Sequence, residues 1–423
     1  MLRSSWSAKV LSIVAATVVC TSCAMLRPAR GPAVCKLDYK PLVGESGTTF
    51  GYIGPSLVSL SRRPDRTLDG TPLLFSKRPL YGTLEFGGPE AVPCVFVLDE
   101  SMGTGSGYDS LRVDANLNQD LSDEPRIAAT SNSGGSQPDF ASVEIMVGYE
   151  GGRRPYHIRI YSFGSTERMY IYTAGYTEGK VSFGGNTYNV ALVDDNCNGL
   201  FNDACAVPDG VRQSGAVRAT GDTMVIDLNG DGKFDKSFYD TPELYHVGKY
   251  ISFGSKCYEM SIAPDGRSIT VTETDAPLGY ISTGHGQFSV ELLGEHGALK
   301  LAGGTRRTKV PAGAYRFAGC SFEQEDESGA PWRIVGQGDW SQATVDVASG
   351  KNTSLEFGPP LTAEISASRN GNQFSFGLQV KGQGGEVFSP SNFQKNGAPA
   401  PVPHLEIRDD KGIVIAKAQF AYG

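Results

Sequence analysis

Between Asp227 and Asp235 the chain reads Asp-Leu-Asn-Gly-Asp-Gly-Lys-Phe-Asp, with side-chain oxygens on alternate residues and a glycine at the sixth position. Asp, Asn and Gly tolerate left-handed backbone and bond their own neighbouring amides, so this stretch predicts a tight loop. Curling such a loop turns the alternate side chains toward one point. A hard cation that takes roughly six to eight oxygen ligands needs that arrangement. The pattern occurs twice more, from Asp114 and from Asp194, and each copy follows an apolar stretch with strand character.

The expected ligands can be named by position. In the third loop they are Asp227, Asn229, Asp231, the backbone carbonyl of Lys233, and Asp235. The second offers Asp194, Asn196, Asn198, the carbonyl of Leu200, and Asp203. The first offers Asp114, Asn116, Asn118, the carbonyl of Asp120, and Asp123, with Gln119 where a turning glycine is expected. The two earlier loops bring fewer carboxylates, which predicts weaker binding. Calcium suits an all-protein oxygen cage better than magnesium, which dehydrates reluctantly. The alternative is a bare hairpin turn, because the same residues are the common turn formers of β proteins. These loops resemble the EF-hand and dockerin type. The resemblance covers the loop alone: Phe238 stands where an EF-hand has its closing Glu, and Thr223-Met-Val-Ile226 before the third loop reads as a strand and not a helix.

The rest of the chain predicts an all-β, multi-module protein. Gly is frequent, 53 of 423 residues, and helix-forming runs are scarce. Alternation marks strands at Val143–Val147, His157–Ile160 and Met169–Tyr172. A short motif recurs at Leu84-Glu-Phe-Gly-Gly88, Val181-Ser-Phe-Gly-Gly185 and Ile251-Ser-Phe-Gly-Ser255. Each copy is followed by a second strand, at Cys94–Leu98, Thr187–Val193 and Cys257–Ile262, that ends at an acidic turn. The unit is a hairpin, and repeated hairpins build meanders, sandwiches or barrels. We divide the chain into a signal segment 1–22, a segment 23–45 that is a tether or an arm lying on the first domain, a hairpin-rich β domain 46–275 with the acidic loops, a β-sandwich module 276–358, and a C-terminal Ig-like β module 359–423. Lys309-Val-Pro-Ala-Gly-Ala-Tyr-Arg-Phe317 resembles the turn of carboxypeptidase-regulatory-like modules, and the spacing of turns after 359 fits an immunoglobulin-like sandwich. Both likenesses imply a fold and no activity.

Arg3 and Lys9 precede an apolar run from Val10 to Val19, too short to span a bilayer and suited to a secretion signal. Cys20-Thr-Ser-Cys23 then resembles a bacterial lipobox, which implies acylation of Cys23 and a membrane anchor without insertion of the chain. The expected location is therefore an outer-membrane or cell-surface lipoprotein, with a secreted or periplasmic protein as the alternative. The whole is similar to bacterial surface lipoproteins that carry acidic loops of this kind. Six cysteines follow Cys23, and spacing proposes one disulfide, Cys197 to Cys205 across the second loop.

A net charge of −8 argues against nucleic acid as a partner. No zinc spacing, nucleophile elbow or phosphate loop is present. Asp99-Glu100 could supply a glycosidase carboxylate, and Trp332 with Trp340 a sugar platform, but acidic pairs are common here and a β-sandwich Trp is more often core. The favoured reading is a calcium-binding β protein at the cell surface with a structural, adhesive or ligand-binding role, toward a glycan or a protein, and no enzymatic activity. The alternatives are a calcium-stabilised hydrolase of extracellular polysaccharide and a non-catalytic carbohydrate-binding protein.

Overall fold

A computed structural model describes residues 32–42, 56–88, 91–104, 107–132, 138–162, 168–205, 220–234, 243–253, 256–274, 276–284, 288–303, 307–338 and 344–420. The signal segment, Cys23, Asp235, Phe238 and Trp340 lie outside these residues. The described chain is nearly all β, in several sheets, and contains no α-helix.

The three Phe-Gly motifs each form the antiparallel hairpin that the repeat predicts: Leu80–Phe86 with Val92–Asp99, Gly175–Phe183 with Asn186–Val193, and Tyr250–Phe253 with Lys256–Ile262. A third antiparallel strand follows each, at Ser110–Val113, Thr223–Ile226 and Ser268–Glu273. In the first two units a fourth strand follows, at Ile127–Asn132 and Leu244–His246. The strand registers align the units residue by residue. Val113 lies opposite Phe96 and Ile226 opposite Val190, so Asp114 and Asp227 begin equivalent loops between the third and fourth strands. The same alignment puts Asp194 level with Glu100, at the end of the second strand.

The third unit takes its fourth strand from the beginning of the chain. Ala33–Pro41 pairs with Ser268–Glu273 on one side and with Gly175–Phe183 on the other, at the centre of an eight-stranded sheet. Residues 33–41 are thus no tether. Leu37 is buried, with Cys35 and Tyr39 packed beside it on the alternating inner face. This sheet and a nine-stranded sheet, which holds the first unit, share one core whose residues run from Leu37 to Val271.

A second core is built from residues between Ile281 and Phe388. The expected boundary near 359 is not present in it. Val380 and Phe388 pack into this core, Phe388 lies opposite Gly336, and its ring meets that of Phe322 at 5.7 Å. Strands Thr362–Asn370 and Gln373–Lys381 therefore continue the sheet of the preceding segment instead of forming an immunoglobulin-like sandwich. His404–Arg408 and Val414–Gln419 make a separate two-stranded hairpin. The two cores touch through Gly248 and Gly297, where an added Cβ on either would come within 2.6 Å of the other's Cα.

Candidate metal centre

All three acidic loops adopt one backbone. Counting the first Asp as position 1, positions 4 and 6 are left-handed in every case: Leu117 and Gln119, Cys197 and Gly199, Gly230 and Gly232. Only glycine takes this conformation without strain. The third loop has glycine at both positions, the second at one and the first at neither.

The side chains repeat as well. The position-1 carboxylate accepts backbone N–H groups from inside its own loop: Asn118 and Gln119 to Asp114, Asn198 and Gly199 to Asp194, and Gly230 and Gly232 to Asp227. The position-3 oxygen accepts the N–H of position 5, and the position-5 oxygen that of position 7, in all three. These bonds hold alternate side chains on the inside of the curl.

In the first two loops the position-10 carboxylate completes the set. Asp123 Oδ2 lies 3.3 and 2.9 Å from the amide nitrogens of Asn116 and Asn118. Asp203 Oδ2 lies 2.7 and 2.6 Å from those of Asn196 and Asn198. Positions 3, 5 and 10 therefore converge in both. The Asp120 carboxylate turns away to Ser122, which leaves its backbone carbonyl as the group position 7 can offer. In the third loop Asn189 donates an amide N–H to Asp227 at 2.9 Å. The relation of Asp235 to that loop falls outside the described residues.

Sequence reasoning missed a second line of acids. Glu124 accepts the N–H of Ala115 at 2.8 Å, Asp222 that of Asp195 at 3.2 Å, and Glu243 that of Leu228 at 3.1 Å. Each is buried and each anchors position 2 of its loop. Asp222 also accepts the N–H of Asp203, so it ties both ends of the second loop. They lie 9 to 27 residues from the donors of those bonds, a separation with no periodic signal in the sequence.

The electrostatics differ between loops. Burial pushes the carboxyls of Asp114 and Glu124 up, against the backbone N–H groups that favour their charged forms. Asp194 is driven up by burial despite the Tyr156 hydroxyl, which donates to it at 2.7 Å. Asp222 is driven up by burial and by the neighbouring Asp194. At Asp227 burial acts upward too, but the Asn189 amide and the loop N–H groups outweigh it and the net shift is down. Among the described residues no Lys or Arg forms an ion pair with Asp114, Asp123, Asp194, Asp203, Asp222 or Asp227. Buried carboxylates without a cationic partner are costly unless a metal or a proton compensates them.

The second loop is also the most deeply integrated. Gly87, in the turn of the first unit, donates to the Asn198 carbonyl at 2.8 Å, and Tyr149 donates to that of Gly199. Phe201 donates to Pro264 in the third unit, and its ring lies under Gly266. Tyr156 packs between Phe86 and Phe201, at 5.7 and 6.2 Å. All three hairpin units meet there. The expected disulfide is not formed: Cys197 and Cys205 are free thiols in different clusters, Cys197 beside Tyr156 and Cys205 against Leu293 and Ala318.

Among the described residues no group of three His, Cys, Asp or Glu side chains forms a metal-holding cluster, so the convergent donors are mixed sets of carboxylate, carboxamide and carbonyl oxygens. Asp99 accepts the N–H groups of Phe75 and Ser76, and Glu100 the hydroxyls of Ser76 and Thr104. This pair is buried in structural bonds. Trp332 gives its indole N–H to Asp326 and has the Lys395 ammonium 5.1 Å over one face of its ring. No known family model, curated protein or solved structure matches the chain.

Proposed function

We propose that this chain is an exported, lipid-anchored calcium-binding β protein of the cell surface, whose cations hold a scaffold for a structural, adhesive or ligand-binding role. The observation that carries the reading is the shared loop backbone, with positions 4 and 6 left-handed, and the buried carboxylates of Asp114, Asp194, Asp222 and Asp227, which pair with no Lys or Arg among the described residues. The donors are oxygens only, which suits a hard cation such as calcium and not zinc or copper. In the first two loops a cation would replace the amide N–H contacts to Asp123 and Asp203 with metal–oxygen contacts, the asparagines presenting their carbonyls. Bound at a hundredfold excess over its dissociation constant, a single cation adds about 2.7 kcal/mol to folding stability. The reading as a catalyst finds no support in Asp99 and Glu100, which are committed to their neighbours.

Calcium titration calorimetry on the full chain tests the metal, with heat expected in calcium and little in magnesium. Cell fractionation tests the anchor: the wild-type chain is expected with the membranes and Cys23→Ser in the soluble fraction. Equal partition of the two would refute the anchor and leave the metal reading intact.

A further inference from the structure

Residues 61–79 run between two strands without a strand or helix of their own, yet are tied down along their length. Ser61 bridges to Tyr81, and Asp69 and Gly70 bond the backbone of the first acidic loop at Gln119 and Leu121. Phe75 and Ser76 donate to Asp99. Ordered connections of this length are unusual in compact domains and are commonly functional.

The tip of this segment is apolar and unusually exposed. Leu73 is 84 % exposed, Phe75 56 % and, on the adjoining turn, Met102 82 %. Gly103 brings that turn against Phe75: an added Cβ there would lie 2.7 Å from the Phe75 carbonyl oxygen. Lys77 and Arg78 follow the tip directly and are exposed, and Arg62 reaches the Arg78 carbonyl. Of the acids at the tip, Asp99 and Glu100 are buried and bonded to Phe75, Ser76 and Thr104, and Asp109 bonds Ser101 beside Met102. The Arg126 guanidinium lies 5.7 Å from the Phe75 ring centre. Protruding apolar side chains on a braced loop, with cations beside them, match an interface of acyl chains below anionic headgroups. A protein partner would call instead for a flatter patch with a desolvated centre.

We infer that Leu73, Phe75 and Met102, with Lys77, Arg78 and Arg126, form a surface that inserts into an anionic lipid layer. This contact is separate from any anchor at Cys23 and does not depend on the metal reading.

The test is sedimentation of the full chain with vesicles of phosphatidylcholine alone or mixed with phosphatidylglycerol. All chains carry the same N-terminal segment, so differences between variants report the loop. L73S/F75S/M102S is expected to bind the mixed vesicles about tenfold or more weakly than wild type, because the methylenes that would enter the acyl layer are gone. K77A/R78A is expected to lose about tenfold on the mixed vesicles and little on the neutral ones. These side chains are exposed, and L73W supplies a gained signal that does not rest on lost binding. Its fluorescence in the presence of vesicles containing brominated lipid is expected to be quenched beyond that of the wild-type tryptophans. Equal binding by wild type and the triple variant, no preference for the anionic vesicles, or an unquenched L73W chain would each overturn the inference.

Discussion

Glycine placement sets how strained each acidic loop is. Gly230 and Gly232 have φ of 73° and 76°, and an added Cβ at either meets no atom within 4 Å. Gly232→Ala therefore isolates the backbone contribution and is expected to lower stability by about 1–2 kcal/mol in urea unfolding. The carboxyls of Asp194 and Asp222 make a second prediction. Burial holds both above their unfolded values, so the folded calcium-free chain keeps protons that the unfolded chain releases. Its stability then falls as pH rises above the ordinary carboxylate range near about 4. Asp227 is shifted the other way and loses its contribution only below that range. In chelator the midpoint of thermal unfolding should be higher at about pH 5.5 than at about pH 7.5, and saturating calcium should reverse the order, since protons and cation compete for the same oxygens. A midpoint in chelator that rises toward neutrality would count against buried, unpaired carboxylates.

At the scale of elements, the loops differ in what they join. The second connects three hairpin units, whereas the third lies between two short strands at one edge of its sheet. In calcium, Asp194→Asn is expected to speed amide hydrogen exchange across Leu80–Phe86, Asn186–Val193 and Lys256–Ile262. Asp227→Asn is expected to do so mainly at Thr223–Ile226 and Leu244–His246. Equal and local effects would remove the second loop from its central place. Much of this layer was legible in the sequence. The Phe-Gly motif and the alternation after it describe local pairing, and local pairing is what periodicity encodes. The ranking of the loops was not legible. Ligand count favours the Asp227 loop, while integration depends on contacts such as Tyr156 with Asp194, 38 residues apart. Asp222 and Glu243 were hidden for the same reason, and Glu124, beside Asp123, because it lies outside the alternation of the motif. Leu117, Gln119 and Cys197 concealed the shared backbone, because non-glycine residues there carry no turn signal.

The described residues pack around two large cores, and both errors in dividing the chain arose where a strand joins a distant partner. Cys35, Leu37 and Tyr39 alternate as a strand should, but the flanking Pro32 and Pro41 suggest a linker. The strands after 359 carry turn signals like those of a separate module, yet Val380 and Phe388 complete a core begun a hundred residues earlier, near Ile281. A chain assembled by such long-range pairing gains most from ions that fix the junctions between units. The measurement that tests this most directly is thermal unfolding of the full chain in millimolar calcium and in chelator, at neutral pH. The account predicts a midpoint several degrees higher in calcium, with Asp194→Asn losing most of the difference. An identical midpoint in the two buffers would contradict it.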